Sequence, residues 1–263
     1  MTDDAAFAEF ALQAARDAGD AIMPHFRVSI AIEDKGGARG YDPVTAADRA
    51  AESAIRNAIR GRYPDHGIEG EEHGREPGSS RYTWVIDPID GTRSFILGQL
   101  HWATLVALND GARPIVGIVH QPYVGESFVA ADGRAEWRRG DDRRPLRVRR
   151  CARIEDAVVA TTDPRHFRSQ RQLAAYDVAT AGARLVRYGG DCYCYTQLAM
   201  GLVDIVIETG LQPYDIQALI PLIENAGGVV SDWEGGRSDA GGDVLACGDR
   251  VLHARLLEQI ARR

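Results

Sequence analysis

The stretch from Trp84 to Phe95 constrains the fold more than any other part of the chain. It begins with the apolar run Trp84-Val-Ile86 and continues directly into Asp87-Pro-Ile-Asp-Gly-Thr92. The apolar run indicates a buried strand, and the proline and glycine indicate a sharp, stiff turn at its end. This turn carries two carboxylates three residues apart. Because hard divalent cations prefer several oxygen ligands on a rigid backbone, the stretch predicts a metal site.

The same turn also predicts an anion site. If a helix begins here, the free backbone N–H groups of Gly91 and Thr92 would bind an anion beside the metal. The Ile89 carbonyl, aimed by Pro88, could be a further oxygen ligand. The alternative is a plain strand-to-helix turn capped by Asp90, which leaves the second acid and the threonine unexplained. A cation site next to a phosphate site indicates phosphoryl chemistry.

Composition bounds the class of protein. A chain of 263 residues with 44% apolar and 26% charged residues can bury a large core as a soluble globular protein. It has no apolar run long enough for a membrane span and no signal-peptide pattern at its start, so a cytoplasmic location is expected. The four cysteines fit neither a disulfide framework nor a zinc site, which favours reduced, buried thiols.

Charge argues against a nucleic-acid-binding protein, because the net charge is −7. One segment differs: Arg134 to Arg150 contains eight arginines. A solvated hairpin around Asp132-Gly133 is the favoured interpretation, with a nucleic-acid patch and an interface contact as alternatives. Lys35 is the only lysine, and it could mark a place where a compact ammonium group is needed.

Hydrophobic spacing predicts helices and a mainly antiparallel sheet in the first part of the chain, then alternating strands and helices. The first part has predicted helices 4–26 and 45–62, a polar loop 33–44, and strands 82–86, 102–108, 115–120 and 127–131. The second part has predicted strands 157–161, 184–187, 203–207, 228–231 and 244–247 and helices 165–176, 191–200, 215–226 and 249–262. We expect one compact α/β (α+β) unit. Residues 1–150 would form a half with most metal ligands, and residues 151–263 a half with Asp215 and the substrate contacts.

Other acidic residues, each taken alone, can be explained by ordinary structural roles such as a solvated loop or a helix cap. Glu71 and Glu72 lie in a turn-rich stretch and could belong to a solvated loop or complete a hard-metal site. Asp48 closes a capping-box pattern that begins at Thr45, and Asp215 opens an apolar helix, so both could simply cap helices.

In this order, the motifs resemble the inositol monophosphatase family of magnesium-dependent phosphatases. The matching segments are 42–48 (Asp-Pro-Val-Thr-Ala-Ala-Asp), 70–72 (Gly-Glu-Glu), 84–95, and 215–218 (Asp-Ile-Gln-Ala) followed by Gly227-Gly228. The resemblance spans nearly the whole chain. It implies the layered αβαβα sandwich of the inositol monophosphatase and fructose-bisphosphatase type, two or three Mg²⁺ ions per site, and a homodimer.

The resemblance also implies roles for individual residues. The side-chain metal ligands would be Glu71, Asp87, Asp90 and Asp215, joined by the Ile89 carbonyl, with Glu72 behind them or at a weaker metal. Thr92 and Asp48 resemble the hydroxyl–carboxylate pair that orients the attacking water. Gly91 and Thr92 would hold the phosphate through their amides, and Lys35 resembles the family's loop lysine near it. One metal would activate the water, and the second would stabilise the leaving alkoxide.

Departures from the common family pattern indicate the substrate. The chain has Arg93-Ser-Phe after the first motif, and Arg187-Tyr-Gly-Gly-Asp-Cys192 where inositol-cleaving members tend to have a small segment. These features resemble the histidinol-phosphate phosphatase branch, with Arg93 and Arg187 as candidate substrate contacts. Glu208 matches the family's substrate-facing acid, and Asp191 would add a second carboxylate or, alternatively, cap the next helix. Two acids suit a cationic amino alcohol better than a neutral polyol.

The sequence therefore predicts Mg²⁺-dependent hydrolysis of a small phosphate monoester, with L-histidinol phosphate as the preferred substrate. An inositol monophosphatase or a broad sugar-phosphate phosphatase is the alternative enzyme. A non-enzymatic metal-binding protein on the same fold would be expected to lack a metal ligand, and none is missing. Partners other than the small phosphate ester and a second copy of the chain are not expected, neither nucleic acid nor membrane.

Overall fold

The computed structural model describes residues 3–29, 31–34, 36 and 43–263, with residues 43 and 44 described by their backbone only. Lys35 and Asp42, which belong to the predicted site motifs, lie outside the described residues. The α-helices are α1 (Asp3–Ile22), α2 (Ala46–Arg62), α3 (Thr92–Ile96), α4 (Gln170–Thr180), α5 (Cys192–Ala199), α6 (Pro213–Ile216), α7 (Leu219–Asn225) and α8 (Arg250–Ile260).

The strands form a two-stranded ribbon and two larger sheets. Those of the first part are β1 (Glu33–Asp34), β2 (Pro43–Val44), β3 (Gly67–Gly70), β4 (Gly74–Glu76), β5 (Thr83–Asp90), β6 (Ala103–Asn109), β7 (Pro114–Gln121), β8 (Glu126–Ala131), β9 (Arg134–Arg139) and β10 (Asp142–Pro145). Those of the second part are β11 (Val158–Thr161), β12 (Leu185–Tyr188), β13 (Ile205–Leu211), β14 (Val229–Asp232) and β15 (Gly242–Cys247).

The larger sheet has the strand order β10-β9-β8-β7-β6-β5-β3-β4. Its neighbours are antiparallel except for β3 and β5, which run parallel. The smaller sheet has the order β12-β11-β13-β15-β14 and mixes parallel and antiparallel pairs. Because β3 and β5 are parallel neighbours, the turns that follow them lie at the same edge of the sheet.

The two sheets alternate with layers of helices. Helices α1 and α2 pack on one face of the larger sheet, and α6 and α7 lie on its other face, where Tyr193 of α5 also packs against Phe128. Helices α5 and α7 also contact the smaller sheet, whose outer face is covered by α4 and α8. Buried apolar clusters fill the spaces between successive layers. The order is therefore αβαβα, which confirms the predicted fold class.

Three further expectations can be compared with the structure. Strands β8 and β9 form a hairpin around Asp132 and Gly133, both with positive φ, which confirms the favoured interpretation of the arginine-rich segment. All four cysteines are free and buried, as predicted. Within the described ranges, no helix combines the length and the hydrophobicity that a membrane span requires.

Candidate active site

A β-bulge at the end of β5 brings two acids to the same side of the strand. Asp87 pairs with Leu105 of β6, whereas Asp90 pairs with Ala103, so that three steps along β5 match two along β6. Residues three apart on a regular strand point to opposite faces, and the extra residue of the bulge removes this difference. The hydroxyl of Thr104 donates to the Pro88 carbonyl at 2.8 Å and holds the bulge in place.

A third acid reaches the same point from α6. Asp87, Asp90 and Asp215 each offer a carboxylate oxygen, and these oxygens lie within 4.8 Å of one another. Asp215 is in the first turn of α6, where its other role is to accept a hydrogen bond from the Gln212 N–H at 2.7 Å. The capping and cluster interpretations of Asp215 therefore do not exclude each other.

The cluster is electrostatically unfavourable without a cation. Burial raises the pKa of Asp87 well above its usual range, and the charges of Glu71 and Asp90 raise it further. Burial also raises the pKa of Asp90, with Asp191 and Asp215 as the next causes. Several carboxylate oxygens around one point are the donors that Mg²⁺ prefers. The residues present thus fit a hard divalent cation.

Glu71 and Glu72 lie in the turn that follows β3. The Glu71 N–H donates to the Ile86 carbonyl of β5 at 3.2 Å, which continues the pairing of the two strands into the turn. Glu71 lines the cavity that contains the three aspartates, whereas Glu72 lies outside its lining. Glu72 is still near enough for its charge to raise the pKa of Asp48. The two adjacent acids therefore have different positions relative to the cavity.

Gly91 and Thr92 start the short helix α3, as the anion-site hypothesis requires. Gly91 has φ +85°, and a Cβ atom at this position would lie 2.4 Å from the His101 carbonyl oxygen, so glycine is needed there. The hydroxyl of Thr92 donates to the Ile89 carbonyl at 3.0 Å. In this arrangement the hydroxyl proton of Thr92 points to Ile89 and not to Asp48, the other member of the pair expected to orient the attacking water.

Asp48 is buried in the first turn of α2 and closes the expected capping box. Its Oδ2 accepts from the Thr45 N–H at 2.9 Å and from the Thr45 hydroxyl at 2.6 Å. Its Oδ1 is buried and has no hydrogen-bond partner among the described residues. Burial raises the pKa of Asp48 to about 6. An orphaned carboxylate oxygen of this kind has room for one further donor, such as a water molecule.

The cavity has a volume of about 510 Å³. It brings together predicted residues from both parts of the chain: Glu71, Asp87, Ile89, Asp90, Gly91, Thr92, Arg93, Asp191, Glu208 and Asp215. Asp48 lies outside the lining, and so does Arg187, which is exposed on the edge strand β12. The structure thus unites most of the predicted site but does not bring Arg187 to it.

Asp191 and Glu208 add two acids to the cavity wall. Asp191 stands at the N-cap position of α5 with φ +46°, but its side chain makes no capping hydrogen bond and accepts from the Ser94 hydroxyl at 3.0 Å. Glu208 is buried on β13 and accepts from the Thr162 N–H at 2.6 Å. Burial raises the pKa of Glu208 to about 7. The side chain of Asp191 therefore does not cap α5, and the capping alternative is wrong for it.

Sequence reasoning missed several residues of the cavity. Thr162, His166 and Tyr195 line it, and the Arg93 guanidinium lies 3.2 Å from His166 Nε2. His166 belongs to a 3₁₀ turn, Pro164–His166, between β11 and α4. Nothing in its sequence surroundings distinguishes it from a surface histidine, because its neighbour Arg93 is 73 residues away.

Comparisons with known proteins agree with this geometry. The family model described as the inositol monophosphatase family matches residues 3–263. The chain is 40% identical over 253 residues to the bifunctional phosphatase IMPL2, chloroplastic, of Arabidopsis thaliana, covering 92% of this chain and 71% of the relative. It is 32% identical over 253 residues to a histidinol-phosphatase of Chlorobaculum parvum, covering 96% and 95%.

A solved structure extends the similarity to three dimensions. An inositol monophosphatase from Zymomonas mobilis superposes with a TM-score of 0.87 at 35% identity, covering 99% of this chain and 100% of the other. The family model, the relatives and the shared fold lead to the same conclusion: the chain belongs to the inositol monophosphatase family and is a phosphatase.

Proposed function

We propose that the protein is a Mg²⁺-dependent phosphate monoester hydrolase whose preferred substrate is L-histidinol phosphate. The observation that carries this proposal is a single cavity that holds the Asp87–Asp90–Asp215 cluster together with two further acids, Asp191 and Glu208. The cluster supports metal-assisted phosphoryl chemistry. The two further acids support a positively charged leaving group.

Glu71, Asp87, Asp90 and Asp215 would hold the metal ions, two or three per site, with the Ile89 carbonyl as an additional ligand and Glu72 behind them. When bound, Mg²⁺ lowers the pKa of a coordinated water and stabilises negative charge on the phosphate and the leaving oxygen. The chain's own residues must then orient the water and the ester.

Orientation of the water is assigned to Asp48 and Thr92. The unpartnered Oδ1 of Asp48 can accept a proton from a water or from the Thr92 hydroxyl after that hydroxyl leaves Ile89. Backbone N–H groups of Gly91 and Thr92 would hold the phosphate oxygens. Lys35, outside the described residues, would assist them. No covalent intermediate on the protein is needed.

Selection of the substrate is assigned to Asp191 and Glu208. Histidinol phosphate carries an ammonium group, and two carboxylates on the cavity wall favour a cation over a neutral polyol. Arg93, at the cavity wall beside His166, would contact the phosphate or the imidazole. Arg187 would take part only if β12 moved. The histidinol-phosphatase of Chlorobaculum parvum, similar along most of the chain, supports the same substrate.

An inositol monophosphatase or a broader sugar-phosphate phosphatase is the second candidate, favoured by the similarity to the enzyme from Zymomonas mobilis. The deciding experiment measures phosphate release from histidinol phosphate, inositol 1-phosphate, fructose 1,6-bisphosphate and 3′-phosphoadenosine 5′-phosphate. We expect histidinol phosphate to have the highest kcat/KM by at least about tenfold, which is 1.4 kcal/mol of discrimination. Comparable rates for inositol 1-phosphate would assign the protein to the second candidate.

The assembly and location also belong to this proposal. We infer a homodimer from the family resemblance, and light scattering at micromolar concentration tests it. A monomer at these concentrations would contradict the inference. The cytoplasmic location and the absence of nucleic-acid binding stay predictions, and salt-sensitive retention on DNA would contradict the latter.

A further inference from the structure

A side chain of helix α2, that of Glu52, contacts the backbone at the start of the Glu71–Glu72 turn. Glu52, in the middle of α2, is fully buried. A Cβ atom on Gly70, the last residue of β3, would lie 2.1 Å from Glu52 Oε1. Glycine at position 70 is therefore what lets the carboxylate of Glu52 reach the backbone of the turn.

The carboxylate of Glu52 accepts hydrogen bonds from the turn and from its own helix. The Glu72 N–H donates to Oε2 at 2.6 Å, and the His73 N–H donates to Oε1 at 3.2 Å. The Arg56 Nε–H donates to Oε1 at 2.7 Å. Bonds from backbone N–H groups to a buried carboxylate are strong, so Glu52 fixes the backbone that follows Glu71.

Arg56 extends the same arrangement to the other end of the turn. Its guanidinium is nearly as buried as Glu52 and donates to the Gly74 carbonyl. It also lies 3.5 Å from the carboxylate of Glu76 on β4. Glu52 and Arg56 thus hold the turn between β3 and β4 from both sides, one through N–H groups and the other through a carbonyl.

Asp48 lies four residues before Glu52, and therefore on the same face of α2. One rigid helix thereby sets the positions of Asp48 and of the Glu71–Glu72 turn relative to each other. We propose that Glu52 and Arg56 are positioning residues that hold the Glu71–Glu72 turn where Glu71 can bind Mg²⁺. They contact neither metal nor substrate themselves, and this role rests on the proposed function.

The test is the Glu52→Gln variant, in which the amide keeps one acceptor oxygen but turns an NH₂ group toward a donor. The Mg²⁺ concentration for the half-maximal rise in melting temperature is measured, and so is that for half-maximal activity. We expect both to rise by about tenfold, as for groups that orient metal ligands. At saturating Mg²⁺, kcat should remain within about twofold of wild type, because the ligands themselves are intact.

Asp204 offers a matched control. It is a buried carboxylate that accepts from a guanidinium, Arg149 Nε at 2.8 Å, and from a backbone N–H, Val158 at 2.7 Å, but it does not line the cavity. Asp204→Asn should lower the melting temperature of the Mg²⁺-free protein and leave the Mg²⁺ midpoint unchanged. If Glu52→Gln does not fold, Arg56→Lys, which keeps the charge and loses the forked contacts, replaces it.

An unchanged Mg²⁺ midpoint in the folded Glu52→Gln or Arg56→Lys variant would overturn the inference, and so would an equal shift in Asp204→Asn. Failure of the proposed function has a different signature. In that case, wild-type protein itself would show no Mg²⁺-dependent rise in melting temperature.

Discussion

The molecule buries carboxylates in two contrasting surroundings. In the body of the fold, Glu52 is paired with Arg56, and Asp204 with Arg149. In the cavity, Asp87 accepts from the backbone N–H of Ile89 and Asp90 from that of Cys192, and the described residues provide no ion pair to either. Asp87 is as buried as Glu52 and Asp204, and Asp90 is partly buried. The clearest difference between the two surroundings is therefore the arginine that the first one provides.

This difference indicates what each group contributes. A carboxylate with its own guanidinium fixes one backbone segment to another and costs stability when its partner is removed. The cavity aspartates instead raise one another's pKa values, so their proximity lowers the stability of the metal-free fold. Such a cost at a cavity is typical of a site arranged for a ligand rather than for folding.

The largest expected effect is on activity. Asp90→Asn removes one charge and one oxygen donor from the cluster and keeps its shape. We expect kcat/KM for the best substrate to fall by more than about 100-fold. Mutating a residue that only hydrogen-bonds to a metal ligand already lowers metal affinity or activity by about 10–100-fold, and Asp90 is proposed as a ligand itself. The phosphate-release assay measures it, with Asp204→Asn as the buried-carboxylate control. An Asp90→Asn variant with more than about a tenth of wild-type activity would remove the cluster from the mechanism.

Mg²⁺ should stabilise the folded protein through the cavity alone. At 100 times the dissociation constant, the linkage amounts to about 2.7 kcal/mol. For a chain of this size, that corresponds to a rise in melting temperature of about 5–10 °C. Scanning calorimetry with and without Mg²⁺, at matched ionic strength in NaCl, measures the rise.

The Asp90→Asn variant tests whether the cavity aspartates, unlike the carboxylates paired with arginine, destabilise the metal-free fold. The metal-free variant should melt higher than metal-free wild type, since one repelling charge is gone, and it should respond little to Mg²⁺. A full Mg²⁺ response in the variant would show that the stabilising ions bind elsewhere.

Glu208 should make substrate affinity depend on pH. Its pKa is raised to about 7, so the carboxylate is protonated below pH 7 and charged above it. Between pH 6 and pH 8, the charged fraction rises about tenfold, and KM for a cationic substrate should fall by up to the same factor. Glu208→Gln should flatten this part of the profile. Because the substrate's own groups titrate in this range, the difference between wild type and Glu208→Gln is the quantity to compare.

How much of the fold the sequence predicts depends on how local its determinants are. The apolar run ending at Ile86 and the periodic helix beginning after Thr45 are local patterns, and both are found where expected. The predicted helix 165–176 is wrong at its start: Ser169 caps α4, and residues 164–166 form a 3₁₀ turn instead. The predicted helix 215–226 is divided into α6 and α7.

Short strands escape prediction for a related reason. Strand β3, Gly67–Gly70, has glycine at both ends and gains its order from parallel pairing with β5. Strand β9, Arg134–Arg139, is expected from the hairpin around Asp132 and Gly133 but not from its own alternation, because its arginines hide that pattern. Arg138 is nevertheless buried and forms ion pairs with Glu9 and Glu136. Pairing across the sheet, rather than β-propensity, decides these cases.

The residues of the site also differ in whether local sequence is enough to predict their role. Asp87 and Asp90 are predictable as candidate metal ligands from their own compact turn, whereas Glu71 and Asp215 gain this interpretation only from the family resemblance. Glu52 is not predictable in this way, because its partners are backbone N–H groups 20 and 21 residues further along the chain. Glu52 appears in the sequence as one more acid on an amphipathic helix, and only the packing of Gly70 against it shows otherwise.

The smallest expected effect lies outside the cavity, at a buried histidine. His120 on β7 is buried, and its Nδ1 lies 2.9 Å from the Ser127 hydroxyl. Burial lowers its pKa from 6.5 to about 4, and the nearby charge of Arg16 on α1 acts in the same direction, against a weaker opposite effect of Asp20. Between about pH 4 and pH 6.5, His120 is therefore neutral in the folded protein and protonated in the unfolded chain.

The sign of the resulting pH dependence follows from this difference. Because the folded-state pKa is lower, the contribution of His120 to stability is complete above pH 6.5 and is lost as the pH falls toward 4. Between pH 7.5 and 5.5, the loss should be about 1 kcal/mol. Urea unfolding of wild type and His120→Gln at both pH values measures it, and the variant should lose less stability by this amount. Equal losses in the two proteins would show that the lowered pKa of His120 does not contribute to the acid sensitivity of the fold.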